Sequence, residues 1–203
     1  MHCLHTQFYP STEQEVTMVS ILTLWLPILL SAVIVFIASS IIYMVLGYHN
    51  KDFKKVPDED KLMDTLRGFN IPPGEYAVPY AGSNKELNSP EYKEKVNKGP
   101  VLIMNVWKTG EQGMGRQFVQ WFLFAIIVGI FAAYVAGRAL GPGAEYLAVF
   151  RFTGVTAFVC YTIALWQDYI WFFRSPGRTL KNTLDGLIYA LLTAGTFAWL
   201  WPG

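Results

Sequence analysis

The run VSILTLWLPILLSAVIVFIASSIIYMVLG, residues 19–47, contains no charged side chain. About 20 consecutive apolar residues suffice to cross a bilayer as a helix. Inside hydrocarbon each backbone N–H and C=O must be satisfied within the chain, so such a run is helical. Three further apolar stretches follow, at residues 118–140, 146–173 and 184–201. The sequence therefore predicts an all-α membrane protein of four transmembrane helices, with a small α+β cytoplasmic insert between helices 1 and 2. Its expected divisions are a disordered leader at 1–17, helix 1 at 18–48, the insert at 49–116, and helices 2–4 at 117–203.

Composition agrees with a membrane setting. Hydrophobic residues make up 53% of the chain and charged residues 15%, and mean hydropathy is +0.30. A typical soluble domain is about one-quarter charged. The net charge of +1 supplies no electrostatic footprint for nucleic acid. Cys3 and Cys160 form no ligand or disulfide motif.

Orientation follows from lysine and arginine in the short loops. Residues 1–18 hold neither, but do hold Glu13 and Glu15. Lys51, Lys54 and Lys55 follow the first run, and Arg174, Arg178 and Lys181 lie in the third gap. The loop at 141–144 is uncharged, with Arg138 on its approach. Both termini are expected outside and residues 49–116 in the cytoplasm. The leader lacks a basic start and the apolar run exceeds a signal core of about 7–15 residues. Met18 is the alternative translation start. His2, Cys3 and His5 resemble metal ligands only in type, and a disordered tail accounts for them.

Pro27 removes a helical hydrogen bond and predicts a kink in the first span. Small residues recur every four positions in spans two and four: Gly129, Ala133 and Gly137, then Gly186, Ala190, Ala194 and Ala198. Residues so spaced share a helix face, and small ones admit close backbone approach in lipid. These faces are expected to pack on other helices, within the monomer or in an oligomer. Trp107, Trp121, Trp166, Tyr169, Trp171, Trp199 and Trp201 suit interfacial belts.

In the insert, Asp58 precedes a helix reaching Arg67, which Pro72-Pro73-Gly74 follows. Tyr76, Val78 and Tyr80 alternate as an edge strand with Pro79. A helix over 90–96 and a strand over 101–107 complete the module, which is expected to lean on the membrane domain. Gly110, Gly113 and Gly115 precede the second span without phosphate-loop spacing, and read as a flexible joint.

Ionisable residues at membrane depth are functional candidates by default. Arg151 lies near the outer end of span three, where it snorkels or pairs with Glu145. Asp168, Arg174, Arg178, Lys181 and Asp185 form a polar cluster at the inner ends of spans three and four. One reading has it pairing charges at helix ends. The sharper reading is a pocket there, including Gln117, Gln120, Gln167, Tyr161 and Tyr189. His49, a lone interfacial histidine, reads as solvated polarity. No hydrolase, metalloprotease or bis-histidine haem pattern is present, and no cofactor, metal or catalytic residue is assigned.

The strings Trp25-Leu26-Pro27-Ile28-Leu29-Leu30-Ser31-Ala32, Pro57-Asp58-Glu59-Asp60-Lys61, Pro72-Pro73-Gly74 and Leu184-Asp185-Gly186-Leu187-Ile188-Tyr189-Ala190-Leu191-Leu192 resemble a family of uncharacterised bacterial multi-pass inner-membrane proteins of about this length. The resemblance starts at Met18. It implies a bacterial inner membrane and no activity, cofactor or site residue. The leading expectation is a non-enzymatic accessory or assembly subunit, its partners being the bilayer and other membrane subunits or copies of itself. The alternatives are a small oligomeric transporter or channel with Pro27, Arg151 and Asp168 on its path, and a lipid enzyme using Asp168 and Asp185 as acid and base.

Overall fold

The computed structural model describes residues 18–110 and 113–203; the leader, with His2, Cys3 and His5, lies outside them. The chain is mostly helical, with three helices long and apolar enough to cross a membrane: Ile21–Val45, Gly115–Ala139 and Tyr146–Phe172, of mean hydropathy 2.7, 2.2 and 1.6. No more than 33% of each apolar window is buried. Most of that apolar surface thus faces outward, the distribution lipid favours and water does not.

The first span is composite. A 3-10 turn over Ile21–Leu24 leads into α1, Trp25–Ser40, and a π turn over Ile41–Val45 closes it. Pro27 stands in the first turn of α1, where its missing N–H is no loss. Pro27 thus lies just past the junction of the 3-10 turn with α1, and the span's second irregularity is the π turn at the far end. Gly47, at φ +61, adopts the left-handed backbone that glycine takes without a Cβ clash and redirects the chain after the π turn.

The insert comprises α2 (Glu59–Gly68), β1 (Gly74–Val78), α3 (Asn84–Leu87), α4 (Pro90–Lys98) and β2 (Leu102–Val106). The two strands pair antiparallel, with Tyr76 opposite Met104. Ser89 accepts from the Tyr92 N–H and Pro90 takes the first position of α4, a capping arrangement readable in advance. No residue from 53 to 110 is buried. The insert is a hairpin with short helices and has no core of its own.

Span two is α5, Gly115–Ala139, stopped by Gly141-Pro142-Gly143. Span three comprises α6, Tyr146–Thr162, and α7, Leu165–Phe172, joined by a turn at Ile163 and Ala164 whose backbone stays right-handed helical. The Thr162 hydroxyl donates back to Phe158 O at 2.6 Å, a bond that bends helices. The final helix, α8, runs Pro176–Trp199. It begins earlier than expected because Pro176 suits a first helical position, so Arg178 and Lys181 lie inside a helix and not in a gap. Those charges, with Asp185 and Asn182, leave α8 less apolar than the other three.

The small-residue faces are consumed within the chain. A Cβ on Gly129 would lie 3.3 Å from Ile28 Cγ2 of α1, and one on Gly137 2.6 Å from Val19 O. On α8, a Cβ at Gly186 would meet Thr162 Cγ2 at 2.3 Å, and Ala194 faces Gly154. Ala133, Ala190, Ala194 and Ala198 are buried. Side chains this small bring backbones together, so that many weak dispersion contacts form along each crossing.

Two apolar clusters result. One, at the end bearing the α5–α6 loop, joins Leu24, Ile28, Ala132, Ala133, Val149 and Phe197. The other, nearer the insert, joins Val35, Ile42, Val128, Ala157, Tyr161 and Tyr189. At the α5–α6 loop, Gly143 N–H donates to Pro202 O at 2.8 Å and Trp201 Nε1 to Gly141 O at 3.0 Å. The chain end is thereby tied to the α5–α6 loop.

Candidate functional site

At the end of the bundle nearer the insert, the segment after Gly47 folds onto the N-terminal half of α8. His49 Nδ1 lies 2.6 Å from Asp52 Oδ2, and its Nε2 lies 2.8 Å from Asp185 Oδ2. The three side chains are only 8%, 6% and 2% exposed. Tyr48 also donates its hydroxyl to Asp185. Lys181 Nζ donates to Tyr48 O at 2.8 Å and to Asp52 Oδ1 at 2.7 Å. The His49 ring is stacked on Tyr43, with centroids 4.3 Å apart and planes 5° apart, while Tyr48 flanks it at 4.3 Å.

An imidazole between two carboxylates has an acceptor at each nitrogen. Both bonds are satisfied when the ring carries two protons, or when one carboxyl holds a proton. Neither nitrogen is left for a substrate, so this histidine is not placed as a general base. Its role here is to join residues 49–52 to α8. Burial pushes the Asp52 carboxyl upward, but hydrogen bonds from Lys181 and His49 outweigh it and hold the group below its ordinary value.

Beside this cluster is a cavity of about 370 Å³ between α1, α5, α6 and α8. Its wall is largely aromatic and apolar, with Met44, Phe118, Trp121, Tyr161, Leu165 and Tyr189; Asn182 and Asp185 bring polarity from α8. The Trp121, Tyr161 and Tyr189 ring centroids lie 5.6–6.2 Å apart. Trp121 Nε1 donates to Ser39 Oγ at 2.8 Å, which in turn donates to Phe36 O at 2.9 Å. Tyr189 is 4% exposed, and its hydroxyl has no hydrogen-bond partner among the described residues. A buried donor left unpaired costs about 1–3 kcal/mol.

The expected polar cluster is divided. Asp185 and Lys181 belong to the histidine site, whereas Asp168, Arg174 and Arg178 line separate cavities with Leu165 and Asn182 or with Phe53 and Asn105. Asp168 and Asp185 share none of these spaces. Arg178 lies over the Phe53 ring, 4.6 Å from its centroid. Arg151 is exposed on α6, and among the described residues no ion pair joins it to Glu145. Gln117, Tyr161 and Tyr189 do line one cavity, but Gln120 and Gln167 do not.

His49 is the principal correction. Read as solvated, it is the buried centre of the cluster. A single histidine with an aspartate three residues on carries little local signal. Its second partner lies 136 residues away, beyond the reach of any motif. Comparison with protein-family models, curated proteins and solved structures finds no match.

Proposed function

We propose that this chain is a non-enzymatic membrane protein of four crossing helices that binds an amphipathic molecule in the cavity at its inner end. In this reading it sits in a bacterial inner membrane, with both termini outside and residues 49–116 cytoplasmic. Support for the fourth crossing comes from α8 being anchored at two points. Asp185, the tenth residue of the helix, meets His49, and the segment just beyond Trp199 meets the α5–α6 loop through Trp201 and Pro202. From Asp185 to Trp199 the helix rises about 21 Å at 1.5 Å per residue, alongside α6, whose Gly154 faces Ala194.

The observation that carries the binding reading is a largely apolar cavity with a polar end formed by Asn182 and Asp185. Ligand cavities of about 300–1,000 Å³ with few polar groups are the usual form of small-molecule sites. The small-residue faces, which motivated an accessory-subunit role, are occupied inside the chain and provide no separate surface for a partner. A lipid enzyme with Asp168 and Asp185 as acid and base requires both carboxylates at one substrate, and they line different cavities. The transporter path through Pro27, Arg151 and Asp168 likewise has no shared cavity among the described residues.

The test is extraction and mass analysis of molecules retained by protein purified in mild detergent, wild type against Ser40→Phe. Ser40 lines the cavity, and a phenyl ring there fills part of it. A retained amphipath that Ser40→Phe loses supports the proposal. Identical retained molecules in both, with both proteins folded, would refute it.

A further inference from the structure

We infer that the amphipath carries a zwitterionic head with a phosphate and a primary amine, the phosphoethanolamine type, and that Arg174, Arg178 and Asp168 receive it outside the apolar cavity. The inference rests on the binding reading above and adds the class of the head and its place.

The apolar cavity has neighbours at its polar end. Leu165 and Asn182 line it and also line a smaller cavity of about 180 Å³ with Asp168, Arg174 and Arg178. The same three charged residues line a further cavity of about 470 Å³, where α7 and the start of α8 face Glu75 and Asn105 of the insert's strands. A tail held among Phe118, Trp121 and Leu165 therefore has its head beside two guanidiniums. Asp168 shares its short helix with Trp166, Tyr169 and Trp171, side chains of the kind that collect at the level of lipid head groups.

The charges on these walls are of both signs and are not spent on one another. Among the described residues no ion pair joins Arg174 or Arg178 to a carboxylate. Arg178 lies over the Phe53 ring, a contact that uses the charge and none of the forked donors that suit phosphate. Of the carboxylates lining the larger cavity, Asp52 is taken by His49 and Lys181. Glu75 stands across on β1. Asp168 alone accompanies both arginines in both cavities. A purely anionic head would be repelled by Asp168, and a purely cationic one by the guanidiniums. A head with both signs pairs with both. A primary ammonium also brings three hydrogen-bond donors to the Asp168 carboxylate, whereas a quaternary one brings none.

Protein purified in mild detergent would be titrated with short-chain phosphatidylethanolamine, its choline and glycerol counterparts, and water-soluble O-phosphoethanolamine. Native mass spectrometry reads the binding. The ethanolamine lipid should saturate and be preferred to the other two lipids. Arg174→Gln and Arg178→Gln should each weaken it about tenfold, because hydrogen bonds between charged partners are the strong class. Asp168→Asn should abolish the preference for ethanolamine over glycerol while both still bind. Arg151→Gln, which alters an exposed residue of α6, should bind as wild type, and far-ultraviolet circular dichroism confirms that each variant is folded. Ethanolamine-lipid binding indifferent to both arginine variants overturns the site. Equal binding of the glycerol or choline lipid by wild type overturns the primary amine. O-phosphoethanolamine bound as tightly as the lipid overturns the lipid as its source. Ser40→Phe separates this inference from the cavity reading. Loss of the lipid in Ser40→Phe but not in the arginine variants sinks the head-group assignment alone. Arginine-dependent binding that ignores Ser40→Phe sinks the tail's place in the cavity. No saturable binding of any of the four ligands overturns the inference outright.

Discussion

Replacing Asp185 by alanine strips the carboxylate on which His49 and Tyr48 converge. Its side chain is 2% exposed and takes hydrogen bonds from His49 Nε2 at 2.8 Å and from the Tyr48 hydroxyl. Hydrogen bonds to charged groups contribute about 1.5–3 kcal/mol each, which places the two together at roughly 3 kcal/mol or more. Removing the acceptor also leaves the buried His49 ring without that partner, at about 1–3 kcal/mol. The expected destabilisation of Asp185→Ala is therefore about 3–5 kcal/mol. At roughly 2–4 °C per kcal/mol for a chain of this size, Tm in mild detergent should fall by about 10 °C. Asp168→Ala is the matched control: that carboxyl is outside the histidine cluster, and its loss should cost about 0.5 kcal/mol or less. His49→Ala combined with Asp185→Ala should cost less than the sum of the single changes by at least about 1 kcal/mol, since each orphans the other. An Asp185→Ala protein that melts with the Asp168→Ala control, or strictly additive behaviour in the double variant, would show that the contact contributes no net stability.

Two further outcomes follow from the same contacts. Gly186→Ala should separate α6 from α8, because the new Cβ would sit 2.3 Å from Thr162 Cγ2; overpacking of this kind costs about 1–3 kcal/mol, visible as lower Tm, and an unchanged Tm would mean that the crossing is looser than described. For Asp52, the folded carboxyl is held below its ordinary value, against the upward push of burial, by Lys181 and His49. Its stabilising contribution is thus complete above the unfolded value of about 4 and is lost as pH falls through the lower folded value. Wild type should lose thermal stability between about pH 5 and pH 3 more steeply than Asp52→Asn, and parallel pH profiles would contradict this assignment.

The apolar lengths alone determined that helices of bilayer dimension exist at residues 19–47, 118–140 and 146–173, since an uninterrupted run of such residues has no other stable use. Local turn chemistry also made the insert legible. Ser89-Pro90 begins α4, and the alternation before Pro79 ends as β1 at Val78. The four-residue spacing of Gly129 and Gly137 announced a packing face, because helical periodicity is a property of neighbours along the chain.

What covers that face is another matter. Whether Ile28 or a second subunit meets Gly129 depends on the joint fit of α1 and α5. That is a competition between whole surfaces which no local pattern records. The turn at Ile163–Ala164 and the early start of α8 at Pro176 were hidden for a related reason. Hydropathy averages over the window in which a helix turns aside.

The candidate site shows the division most clearly. Lys181 and Asp185 were visible as charges at the edge of an apolar span, but their partners were not. His49, Asp52 and Tyr48 stand more than 100 residues upstream, in a stretch whose composition suggests only solvent exposure. They are brought to α8 by the packing of α1 against α8 and by the left-handed turn at Gly47. Sequence determined which groups the molecule possesses; burial of one imidazole between two carboxylates, beside a cavity, is a property of the assembled helices, because desolvation and hydrogen-bond geometry exist only once the distant segments meet.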